Sequence, residues 1–93
     1  MANNLLVSYD LHAPTKNYEA VGNAIKDLGD WAKVHYSLYY VKSNKDAAAA
    51  CDHVWRSMDS DDRLLVVDAT NNQAAWQNLD KEVSAFIIAK WHK

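Results

Sequence analysis

The spacing of apolar positions changes several times along the chain, and each change marks an element. Residues 5–11 (LLVSYDL) are a short run of strand formers, stopped by His12-Ala13-Pro14-Thr15. With Thr15 as N-cap, Tyr18, Val21, Ile25 and Leu28 then recur at helical spacing up to Gly29, a residue favoured just past a helix end. Residues 31–42 (WAKVHYSLYYVK) alternate instead. Ala32, Val34, Tyr36, Leu38 and Tyr40 fall on one face, and Trp31, Lys33, His35, Ser37 and Tyr39 on a wetter one. Fully extended, this stretch would span roughly 40 Å, about twice a usual strand, so a bend, bulge or reversal is expected near residues 35–37.

Ser43-Asn44-Lys45-Asp46 reads as a capping box that opens a second helix, with Ala47, Ala50, Cys51, Val54, Trp55 and Met58 on its core-facing stripe. An acidic turn follows at Asp59, Asp61 and Asp62. Residues 64–68 (LLVVD) are continuously apolar before the acid, the pattern of a strand covered on both faces. Asn71 or Asn72 caps a turn containing Trp76, and Leu79, Val83, Phe86, Ile87 and Trp91 mark a third helix that frays at Lys93. Two architectures suit this order: a ferredoxin-like βαββαβ sandwich with an extra C-terminal helix, or a small parallel βαβαβα sheet. Lys33, His35 and Ser37 favour the first, an α+β fold, because a central parallel strand would be apolar on both faces.

Composition narrows the function more than the fold. At 93 residues, 49% hydrophobic and with two Gly and one Pro, residues 1–93 form one closely packed domain. The formal charge of −2 gives no general attraction to nucleic acid or anionic membrane, so any nucleic-acid site is local. The lone Cys51 cannot form an internal disulfide, and no Cys-x-x-Cys set accompanies the four histidines. No signal peptide or membrane span is read, so a reducing, cytoplasmic setting without membrane partners is expected. Gly-rich phosphate loops, Gly-x-Ser-x-Gly elbows and His-Glu-x-x-His helices are also missing from the sequence.

Asp10 is the first chemical candidate, because a carboxylate closing a strand at the sheet rim can hold a hard cation. Its plainer role, favoured by position alone, is to cap the loop before Pro14. Asp68 closes the last strand and would pair with Asp10 only in the parallel sheet. His12 can shuttle a proton or ligate, but its spacing to Asp10 matches no metal motif and a plain loop histidine fits better. His35, with Lys33 and Ser37 on its face and Lys42 and Lys45 nearby, can contact phosphate, although such groups also guard an exposed edge against aggregation. His53 and His92 read as solvated. The acidic turn lacks the glycine and spacing of a calcium loop and reads as solvated too. Trp55 and Trp91 follow core stripes, whereas Trp31, Tyr39 and Trp76 are open to a partner.

Taken together, LLVSYDL, the Pro-containing loop, WAKVHYSLYYVKS and DDRLLVVDA resemble the Cas-two family, the small CRISPR-associated integration subunit, over roughly residues 4–70. Tyr9-Asp10 and the segment His35-Tyr36-Ser37-Leu38-Tyr39 carry most of the likeness. Across nearly the whole chain, WAK, the YS pair, MDS-D-LLV-D and a final W...NL...V pattern resemble SinR-like bacterial and mobile-element proteins. That label is a name only, since no helix-turn-helix is read here. The resemblance implies a ferredoxin-like homodimer in which Asp10 and its copy face each other and share Mg2+ or Mn2+. In Cas-two proteins and the related VapD toxins the corresponding acid is linked to metal-dependent phosphodiester cleavage, so RNA or DNA is the implied substrate. The chain departs from the family in its net acidity and in residues 73–93, which read as helix where the family has a partner-crossing strand. The competing expectation is a noncatalytic dimer that binds nucleic acid, a nucleotide or protein through Trp31, Lys33, His35, Tyr39 and Lys42, in a setting of phage or plasmid defence or counter-defence.

Overall fold

A computed structural model describes residues 2–12 and 18–92. The elements run β1 (Asn3–Asp10), α1 (Tyr18–Lys26), β2 (Gly29–His35), β3 (Leu38–Ser43), α2 (Ala47–Trp55), β4 (Arg63–Asp68) and α3 (Lys81–Lys90). The fold is α+β, with a four-stranded sheet in the order β2-β3-β1-β4 and every neighbouring pair antiparallel. The antiparallel pairing excludes the parallel alternative. The expected Thr15 cap, the Pro14 loop and the fraying at Lys93 lie outside the described residues.

Alternation along β1 divides its side chains between two layers, as period-two geometry requires. Leu5, Val7 and Tyr9 join Val21, Ile25, Leu28, Tyr39, Val41, Ala50 and Val54 in a core beneath α1 and α2. On the opposite face, Tyr40, Ile87 and Trp91 form a second core with Leu6, Val34, Val83 and Phe86 under α3. The stretch read as one long alternating segment reverses at Tyr36 and Ser37, where the expected break falls. A bulge between Lys33 and His35 pairs His35 with Leu38 while Lys33 pairs with Tyr39, so the predicted face of Lys33, His35 and Ser37 is not continuous.

Several expectations need correction. Asp46, not Ser43, caps α2: its carboxylate accepts from the Ala49 amide at 2.8 Å, while Ser43 ends β3 and its hydroxyl oxygen accepts from the Lys45 amide. Gly29 opens β2 instead of ending a helix; a Cβ there would collide with the Lys42 carbonyl oxygen, so the close approach of β2 to β3 requires glycine. Trp55 is 40% exposed despite its place in the stripe. The apolar β4 is an edge strand and is not covered on both faces: Leu65 is 62% and Val67 42% exposed. The third helix forms over Lys81–Lys90, with Leu79 of the expected stripe before it and Trp91 as its C-cap, and lies against β2, leaving the outer face of β4 open.

Candidate functional site

Asp10 is the last residue of β1, exposed and opposite Arg63 of β4. It shares a face of β1 with Ser8, because the buried side chains of Val7 and Tyr9 take the other. Ser8, Asp10, Arg63 and Leu65 border a shallow depression of about 290 Å3. Among the described residues no hydrogen bond or ion pair engages the Asp10 carboxylate. Asp68 pairs with Leu5 at the other end of the antiparallel ladder, so the two acids stand apart as strand direction demands. Thr70 donates to Asp68 from its hydroxyl and its amide, and these bonds hold that carboxyl below the usual carboxylate range.

His12 follows Asp10 closely but is anchored by its backbone, whose amide donates to Asp62 Oδ1 at 3.0 Å. Asp62 is buried and its second oxygen accepts from the Asp59 amide at 2.8 Å, so the acidic turn is not wholly solvated. The carboxylates of Asp59, Asp61 and Asp62 lie within 4.8 Å of one another. Asp62 fastens the turn before β4 to the segment after β1, a structural use that sequence spacing did not reveal. His53 also departs from expectation: it is half-buried, its Nε2 lies 3.9 Å from Asp27 Oδ2, and that nitrogen has no hydrogen-bond partner among the described residues.

The structure divides the residues expected to bind a partner. Trp31, Lys33 and His35 are exposed on the edge strand β2. The Lys26 ammonium lies 4.5 Å from the centre of the Trp31 ring and Lys33 lies 5.8 Å from that of Tyr39, both within cation–π range. Tyr39 itself is buried, stacked on Tyr9 at 6.3 Å, and burial raises the pKa of both phenols; Tyr39 and Tyr18 raise that of Tyr9 further. Ser37 is half-buried in the turn, its carbonyl accepting from the Tyr9 amide. Lys42 is only 9% exposed and donates to Asn4 Oδ1 at 2.9 Å beneath the C-terminal segment, so it cannot join an exposed edge. Tyr36, 92% exposed at the hairpin tip, is a surface aromatic that was not among the residues expected to bind a partner; the strand-length argument for a reversal already placed it there.

The chain matches no protein-family model, no curated protein and no solved structure. Among the described residues no helix is long and apolar enough to cross a membrane.

Proposed function

We propose that the chain acts as a Cas-two-like homodimer of ferredoxin-like fold, in which Asp10 and its copy hold Mg2+ or Mn2+ against a phosphodiester of RNA or DNA. The observation that carries this reading is the placement of the Asp10 carboxylate, unengaged among the described residues, at the rim of a sheet face left open at Leu65 and Val67. The succession βαββαβ, with α1 and α2 over one face of the sheet, supports the fold, and α3 is an addition to it.

The donor chemistry fits a hard, largely hydrated dication: one carboxylate from each chain is sparse, but magnesium retains several waters and needs few protein oxygens. Such an ion supplies charge neutralisation at phosphate and a more acidic bound water. Asp10 contributes the anchoring carboxylate, and Arg63 in the same depression is placed to pair with a phosphate oxygen. With protein freed of contaminating nucleases, Asp10→Asn is expected to abolish metal-dependent cleavage of labelled RNA or DNA without lowering the melting temperature. Cleavage retained in the variant would refute the assignment.

A second reading is favoured by the exposed group of Trp31, Lys33, His35 and Tyr36, with Lys26 against Trp31. On that reading the dimer binds nucleic acid or a protein without cutting it. Lys26→Glu with Lys33→Glu is the appropriate test, because Lys42 is buried. Salt-sensitive binding lost in this pair supports the β2 surface, and binding unchanged by it counts against that surface.

A further inference from the structure

The second core holds a buried cation that has no counter-ion among the described residues. Lys42 and Asn4 are paired across β3 and β1, and both are buried. The Asn4 side-chain oxygen accepts from Lys42 Nζ at 2.9 Å and from the Tyr40 hydroxyl at 2.7 Å, while its nitrogen donates to the Trp91 carbonyl at 2.8 Å. Among the described residues no carboxylate forms an ion pair with Lys42. A buried ammonium has three donors and requires compensation, yet among the described residues its one acceptor is a neutral amide oxygen already shared with Tyr40.

This side chain lines a cavity of about 380 Å3 bounded also by Thr70, Asn72, Gln73, Trp91 and His92. A second cavity of about 270 Å3 adjoins it, sharing Gln73, Trp91 and His92 and adding Ala74, Trp76 and Ile88. One compartment is thus lined by a lysine and amide-bearing residues, and its neighbour by indole and aliphatic side chains. Small-molecule sites combine these features, an apolar wall with a few convergent polar groups. Asn4 lies six residues before Asp10 on β1, which puts this site roughly 20 Å from the rim carboxylate.

We propose that these adjoining cavities bind a small organic anion that carries both a phosphate or carboxylate and a planar ring. The anionic group meets Lys42 with amide support from the 70–73 segment, and the ring lies against Trp91 and Trp76. This inference is independent of cleavage at Asp10.

Isothermal titration calorimetry on the full chain with adenosine monophosphate, indole-3-acetate and inorganic phosphate tests it. At least one ring-bearing anion is expected to bind about tenfold or more tighter than inorganic phosphate, and the preferred one distinguishes phosphate from carboxylate recognition. Lys42→Met keeps the apolar stem but removes the charge, and should weaken binding about tenfold or more, as loss of a charge-assisted hydrogen bond does. Gln73→Trp fills the junction from an exposed loop position and should block binding without touching the Asn4 network; it decides the matter alone if Lys42→Met does not fold. No binding of either ring-bearing anion, equal binding of inorganic phosphate, or unchanged affinity in Gln73→Trp would overturn the proposal.

Discussion

Tyr40 shows how a single side chain can couple the layers of this molecule. Its ring is fully buried between Phe86 and Trp91, and its hydroxyl donates to Asn4. Burial pushes its pKa up to about 12. The folded state therefore retains a proton that the unfolded phenol releases near its ordinary value of 10.0, and stability must fall as pH rises between these values. Tyr9 and Tyr39 act in the same direction. Chemical denaturation followed from pH 9 to 12 is expected to show this loss, with a shallower slope in Tyr40→Phe; an unchanged slope would assign the effect to other groups. Asp62 gives a second residue-scale prediction. Asp62→Ala orphans the His12 and Asp59 amides and should cost about 1–3 kcal/mol, measured by urea unfolding. Neither role was legible in the sequence. Asp62 looked like one more acid in a polar turn, and Lys42 like an edge lysine, because the partners that bury them are more than thirty residues away.

At the scale of elements, the sequence was most informative where length and period agreed. The stretch over residues 31–42 was too long for one strand and split at the expected place, and the final helix follows Val83, Phe86, Ile87 and Trp91 as their spacing required. It was least informative where coverage depends on remote packing. Nothing local reveals that α3 lies over β2 and leaves β4 open, so the apolar run of β4 read as a doubly covered strand. The contact between β2 and β3 yields an element-scale prediction: Gly29→Ala forces the strands apart at the Lys42 carbonyl and should destabilise the fold by about 1–3 kcal/mol or more. Thermal unfolding with an unchanged midpoint would show that the hairpin accommodates the methyl group. Trp91→Ala should cost about 3–5 kcal/mol, through loss of ring packing on Tyr40 and of the indole hydrogen bond to the Asn72 carbonyl.

For the whole molecule, Asp10 stands at an exposed strand end as expected, and on the proposed reading its role depends on a second copy. One chain supplies one rim carboxylate there, beside exposed Leu65 and Val67 on an unpaired edge strand. Open apolar edge strands are templates for pairing, and the proposed homodimer requires a symmetric partner that covers this face and sets the two Asp10 residues opposite each other. Both the catalytic and the binding reading rest on that assembly. The most direct measurement is sedimentation equilibrium of the wild-type protein beside Leu65→Lys with Val67→Lys. The account predicts a wild-type dimer and a folded monomer in the double variant. A wild-type monomer at all accessible concentrations, or a dimer undisturbed by two lysines on that face, would contradict it.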